Sequence, residues 1–245
     1  MKGTTLALFS MLAASSGAFA AHGHHWGYSG AEGPEHWGEL DQSFSVCRNG
    51  RNQSPVDLAE FVDARLPPIG FHYHPGGEME ENNGHSIQID YAEGSTITLN
   101  GHDYALKQYH FHAPSENHVG GKEFPMEAHL VHVDESGRIA VVAVMIEEGA
   151  ENAALTQAWS VMPEQPETMV HLAPLVSAED LLPKSHDYYR FTGSLTTPPC
   201  TEGVAWLVMK EPVTASAEQI HKFASVMGHP NNRPIQATNH RVILK

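Results

Sequence analysis

His110-Phe111-His112 puts two imidazoles two residues apart, at the end of the run Leu106-Lys107-Gln108-Tyr109-His110-Phe111-His112. In a strand, alternate side chains share a face, so Gln108, His110 and His112 would point the same way and both rings could converge on one ion. Glu127-Ala128-His129-Leu130-Val131-His132 offers a third ring. There His129 shares a face with Glu127 and Val131, and His132 points the other way. A zinc site that does chemistry needs three protein ligands and one open position, and three neutral nitrogens leave the ion its full charge to acidify a water. Gln108 and Glu127 each lie two residues before a ligand on its own face, where they could accept from the far ring nitrogen and fix its tautomer. Spacing alone carries this only so far. The chain holds 18 histidines, more than its 14 lysines and arginines, so chance supplies about one His-x-His, and three occur. His22-Gly23-His24 sits in a glycine-rich N-terminus, and His72-Tyr73-His74 runs into the turn signal Pro75-Gly76-Gly77. Only His110-Phe111-His112 lies inside a strand pattern with a further partner.

The elements that would hold these residues read as sheet. Ser86–Tyr91 and Thr96–Leu99 alternate, and Asn100-Gly101 after the second is a type I′ hairpin signal. Tyr104–His112, Glu127–Val133 and Val204–Met209 also read as strands, and Ile139–Ile146, apolar on both faces, belongs at a sheet centre. Helical periodicity is confined to Ala153–Met162, a short turn at Ala178–Leu182, and Ala217–Met227. Residues 22–55, rich in Gly, His, Trp, Asn and Pro, read as irregular chain held by aromatics. Residues 61–81 carry no motif and more acids than bases, which predicts an exposed loop. The fold class is therefore mainly β (α+β), a large, mostly antiparallel sheet with a few peripheral helices, in one domain spanning 21–245.

Acids exceed bases by 29 to 14, a formal charge of −15, and a field of that sign disfavours nucleic acid and anionic membrane surfaces as partners. No run of apolar residues is long enough to span a bilayer. The first twenty residues have the three parts of an export signal: Lys2, an apolar stretch from Leu6 to Ala14, and the small-x-small pattern Ala18-Phe19-Ala20. Cleavage after Ala20 would deliver the chain to the periplasm or the extracellular space. Two cysteines in an oxidising compartment most often pair, so Cys47 and Cys200 are expected to bridge, two free buried thiols being the alternative. His22, His24 and His25 enrich the mature N-terminus, either as a loose second metal site or, the favoured reading, as solvated chain. A homodimer is compatible with the chain, but the sequence does not set the oligomeric state.

At the histidine segments the sequence resembles the α-class carbonic anhydrases of the secreted bacterial type. The resemblance covers nearly the whole mature chain, from His25-Trp26-Gly27-Tyr28 onward, with its motifs in family order. These are Gly33-Pro34-Glu35-His36-Trp37, Asn52-Gln53-Ser54-Pro55-Val56-Asp57, Asn82-Asn83-Gly84-His85, and Gln108 to His112. Then follow Pro114-Ser115-Glu116-Asn117-His118, Glu127 to His132, Gly193 to Cys200, and Asn231-Asn232-Arg233-Pro234. The resemblance implies a ten-stranded, mainly antiparallel twisted sheet with the metal in a conical cleft, and reversible hydration of carbon dioxide to bicarbonate and a proton. It implies Zn2+ on His110, His112 and His129, with Gln108 and Glu127 behind them. Thr196 matches the threonine that takes a hydrogen bond from the metal-activated hydroxide, Glu116 the glutamate that accepts from Thr196, and His85 the proton shuttle. Val131, Val141, Leu195, Val204 and Trp206 match the apolar wall for carbon dioxide. Tyr28, Asn83 and Gln88 fall on the polar wall that orders water, and Cys47 and Cys200 match the bacterial disulfide.

Two other readings compete. His110-x-His112-x-x-x-Glu116 fits the first metal motif of a cupin-type oxygenase or isomerase on local spacing, with Glu116 as a ligand, but the flanking glycines of that family are missing. An exported zinc-binding or receptor domain with the fold and no activity would have lost a ligand, and all three are present.

Overall fold

The computed structural model describes residues 25–245, so the expected signal peptide, its cleavage site and His22 and His24 lie outside the described residues. The described residues run through thirteen strands: β1 (Asp57–Leu58), β2 (Gly70–His72), β3 (Gly77–Asn82), β4 (Ile87–Tyr91), β5 (Thr96–Leu99), β6 (His102–His112), β7 (His118–Val119), β8 (Met126–Val133), β9 (Ile139–Glu148), β10 (Thr168–Val176), β11 (Tyr188–Ser194), β12 (Glu202–Met209) and β13 (Val213–Ala215). Its α-helices are α1 (Trp37–Leu40), α2 (Val46–Asn49), α3 (Ala153–Ala158) and α4 (Ala217–Met227). Eleven strands form one sheet in the order β10-β3-β4-β6-β8-β9-β12-β11, with β5 pairing β2 and β6, and β13 pairing β9. That is one strand more than the resemblance implies. The pairings of β9 with β12 and β13 are parallel and the others in this sheet antiparallel.

Alternation along the central strands sorts side chains into two cores. On β9, Ala140, Val142, Val144 and Ile146 join Phe111, Leu130, Trp159 and Phe223 on the face covered by α3 and α4. Val141, Ala143 and Met145 join Val204, Trp206 and Val208 on the other. Both faces of β9 are therefore dry, as its unbroken apolar sequence requires. Helix α4 has the expected bounds because its ends are signalled: Ser216 and Gln219 form a capping box, and Gly228 closes the helix at φ 71°. The Asn100-Gly101 hairpin also forms as expected, with both residues at positive φ. Helix α3 stops at Ala158, short of Met162.

The exposed loop expected over 61–81 is a correction. Residues 62–64 bond to the chain's last residues, and β2 and β3 lie in the same stretch, with β3 paired on both sides by β4 and β10. Alternation was hidden because the position of β3 that faces the first core is Glu80. This residue has no accessible surface, and neither carboxylate oxygen finds a hydrogen-bond partner. Burial pushes its pKa up to about 8, against the pull of Lys222 on α4. The sequence pattern does not show β10 and β11: β10 is an edge strand whose register on β3 shifts between His171 and Val176, and β11 mixes aromatic with polar residues.

Candidate metal centre

Strand β6 begins with Tyr104 and Leu106 facing the first core, yet ends with Tyr109 and Phe111 on that same face. The parity changes because the β6–β8 register shifts between Leu106 and Gln108. This bulge re-aims the strand, so that Gln108, His110 and His112 leave the core face and point across to β8. There His110 stands directly opposite His129. A nitrogen from each of His110, His112 and His129 lies within 4.8 Å of the others, a grouping that could hold a metal ion. His72 and His74 are not part of it. His74 is exposed, and Tyr73 between that pair is bonded through its hydroxyl to His132 Nε2 at 2.7 Å. His132 thus sits in the first core as the alternation predicts, where burial pushes its pKa down to about 3.

Each ligand candidate is oriented from behind. His110 Nδ1 donates to Gln108 Oε1 at 2.8 Å, and His112 Nδ1 donates to the Asn231 carbonyl at 2.7 Å. Since those acceptors cannot donate, both rings carry the proton on Nδ1 and present Nε2 as a free base. His129 turns its Nε2 toward Glu127 Oε1, 2.9 Å away but out of line for a well-formed hydrogen bond, and so presents Nδ1. Glu127 in turn accepts from the Glu116 amide, the Asn117 amide and the Asn117 side chain, each at 2.8 Å. Burial holds all three imidazoles below their ordinary pKa, and for His110 and His129 their neighbouring rings add to it. They are neutral donors at physiological pH. Buried His112 Nε2 has no hydrogen-bond partner in the protein, the state expected of an atom meant for an ion. Asn231 is the partner that sequence reasoning missed; its segment carried the resemblance but no role, and a backbone acceptor leaves no side-chain signal.

Glu116 closes one side of the centre. Its Oε2 lies 3.6 Å from His112 Nε2 and 3.9 Å from His129 Nδ1, while Oε1 accepts from the Arg233 amide at 2.8 Å. Burial pushes this carboxyl up to about 8, opposed by the Arg233 amide and the Thr196 hydroxyl, although no bond of good geometry reaches Oε2. The apolar residues assemble as expected. Val141, Val204 and Trp206 are buried together, with Val131 and Leu195 packed against them, and the Trp206 ring lies 4.9 Å from that of His129.

His85 lies in the β3–β4 turn. Asn83 Oδ1 accepts from the amides of His85 and Ser86 at 2.9 and 2.8 Å, so this side chain builds the turn that carries the histidine. The His85 ring stacks on Trp26, centroids 3.7 Å apart at 8°, with Tyr28 edge-on at 6.5 Å. Burial there, then the charges of His25 and His229, push its pKa down to about 4. Gln88 Nε2 donates to Asp90 Oδ1 at 2.7 Å and stands opposite His110 in the register. Cys47 and Cys200 are bonded to each other and packed on Trp37, with Trp26 and Tyr28 alongside. This is the aromatic anchoring expected of the irregular N-terminal stretch.

Comparison with known proteins agrees with this geometry. The family model described as eukaryotic-type carbonic anhydrase matches residues 32–245. The chain is 49% identical over 238 residues to a carbonic anhydrase of Neisseria gonorrhoeae, covering 96% of this chain and 94% of that one. It is 47% identical over 234 residues to a carbonic anhydrase of Pectobacterium atrosepticum, covering 96% of each. It superposes with a TM-score of 0.90 and 49% identity on the α-carbonic anhydrase of Thermovibrio ammonificans solved with the inhibitor sulfanilamide, over 91% of this chain and 100% of that one. With a match that spans the sheet, the histidine triad and the C-terminal segment behind it, the chain belongs to the eukaryotic-type, or alpha, carbonic anhydrase family.

Proposed function

We propose that this chain is a zinc enzyme that hydrates carbon dioxide reversibly to bicarbonate and a proton. The observation that carries the reading is the convergence of three neutral, individually oriented imidazoles within 4.8 Å of one another. The donor set fits the ion: borderline nitrogen ligands suit zinc, and three of them leave a fourth corner open. Bound there, zinc would acidify a water to a pKa of about 7, supplying a nucleophile at neutral pH, and would keep Glu116 ionised.

The protein's own groups account for the rest. An ionised Glu116 only accepts, so it obliges Thr196 to donate to it and to accept from the nucleophile, which fixes a lone pair toward the substrate. Val131, Val141, Leu195, Val204 and Trp206 form a surface that holds a small apolar molecule weakly beside it. Tyr28, Asn83 and Gln88 lie on the polar side, where water leads the released proton to His85. That ring, stacked on Trp26 at a pKa of about 4, sheds protons in this pose and takes them up when it turns off the indole into water, where imidazole titrates near 6.5.

The expected partners are small molecules, carbon dioxide and bicarbonate. Among the described residues no helix is long and apolar enough to cross a membrane, and the charge of −15 opposes nucleic acid. The leader pattern in residues 1–20 and the Cys47–Cys200 disulfide support an exported enzyme whose mature domain is 21–245. The cupin alternative, with Glu116 as a ligand, loses its ground because the chain belongs to another family and Glu116 is outside the grouped nitrogens. Stopped-flow hydration of carbon dioxide, before chelation, after it and on return of zinc, tests the proposal. The rate should vanish and return; an unchanged rate in metal-free protein would overturn it.

A further inference from the structure

The rings around His85 extend beyond Trp26. His229 also approaches Tyr28, ring centroids 5.9 Å apart, and Tyr28 is the residue that His85 meets edge-on. His25, just before Trp26, has Nε2 3.4 Å from Glu32 Oε2. Both His25 and His229 are exposed, whereas His85 is partly covered. His229 Nδ1 bonds to the Pro230 carbonyl at 2.9 Å. A carbonyl only accepts, so this bond puts the ring's hydrogen on Nδ1 and leaves the Nε2 lone pair free to take a proton. Tyr28 is half-buried and neutral, its pKa raised by burial and by Glu116, so it meets both imidazoles without competing for the proton.

We propose that His229, together with His25, is the proton-release group of this enzyme, receiving from His85 the proton produced at the metal centre and passing it to dissolved buffer. The inference rests on the shuttle role of His85 proposed above. One N–H bond breaks on the His85 imidazolium and one forms at His229 Nε2. Charge moves with the proton and no electron is transferred. His85 loses its proton where it stacks on Trp26, and His25 and His229 are the titratable groups whose charge it senses there. Glu32 faces His25, Oε2 to Nε2.

The test uses the zinc-loaded enzyme with His229→Gln, His25→Gln, the double variant and His85→Ala, assayed in dilute and in imidazole-rich buffer. In dilute buffer the double variant should lose about two- to fivefold in kcat, with kcat/KM for carbon dioxide retained and kcat restored by imidazole. Following the imidazole proton resonances against pH gives a second readout: His229→Gln should raise the pKa of His85, because a neighbouring positive charge has been removed. An unchanged kcat in dilute buffer, where His85→Ala lowers it, would overturn the inference. So would a parallel fall of kcat and kcat/KM, the mark of a merely structural role. If His85→Ala also leaves kcat intact, the shuttle reading itself has failed and the release group falls with it.

Discussion

Glu80→Gln is expected to stabilise the protein at pH 8 and to leave it nearly unchanged at pH 5. The side chain lies on β3 with no accessible surface, and neither oxygen has a donor. Its folded pKa is about 8, against 4.5 for an ordinary glutamate. The sign follows from linkage. The folded state keeps a proton that the unfolded chain releases above pH 4.5, so rising pH favours the unfolded chain until the folded carboxyl ionises as well. Each pH unit in that window costs about 1.4 kcal/mol. The cost reaches about 3 kcal/mol at pH 7 and levels off at about 5 kcal/mol above pH 8. Glutamine has the shape of the protonated acid and does not titrate. Denaturant unfolding of both proteins, disulfide intact, at a series of pH values isolates the effect, because the other titrating groups cancel in the difference. Lys222→Met should widen the gap, since Lys222 is the group that pulls the Glu80 pKa down. A Glu80→Gln difference that stays the same from pH 5 to pH 8 would refute the argument and show that the carboxyl finds water or a donor in solution.

His129→Ala should abolish both stoichiometric zinc and carbon dioxide hydration, measured by metal analysis and stopped flow; full activity without His129 would remove the proposed centre. Trp26→Ala uncovers the His85 ring, so its pKa should climb from about 4 toward the free-imidazole value of about 6.5, followed by proton resonances against pH. Titration of unreduced, denatured protein should find no free thiol, and replacing Cys47 and Cys200 by Ser should cost about 2–5 kcal/mol in denaturant unfolding, because the bridge closes a long loop.

The grouping of the three histidines was legible because strand periodicity is short-range: two residues along a strand return to the same face, and Gln108 and Glu127 share that face with their histidines. The bulge that makes the pattern work in β6 was not legible. Tyr104, Leu106, His110 and His112 all occupy even positions, and only the shift between Leu106 and Gln108 separates core from cleft. The helix bounds of α4 were written in local capping residues, whereas β3 was concealed by an acid where alternation calls for an apolar side chain. Long-range partners were the hardest to read. The Asn231 carbonyl, the Arg233 amide on Glu116 and the stacking of Trp26 on His85 all join segments far apart in the chain, and two of the three act through backbone atoms that have no residue-type signature.

Asn231 makes more bonds than the one that orients His112. Its side-chain oxygen accepts from the Ala113 amide, and its side-chain nitrogen donates to the carbonyls of Phe111 and His85. One residue near the C-terminus thus pins the ring of His112, the end of β6 beneath it, and the backbone of His85, the ligand and the shuttle of the proposed mechanism. On the proposed mechanism, grip on the metal and speed of proton removal are therefore mechanically yoked, and a change that displaces residue 231 should disturb both together.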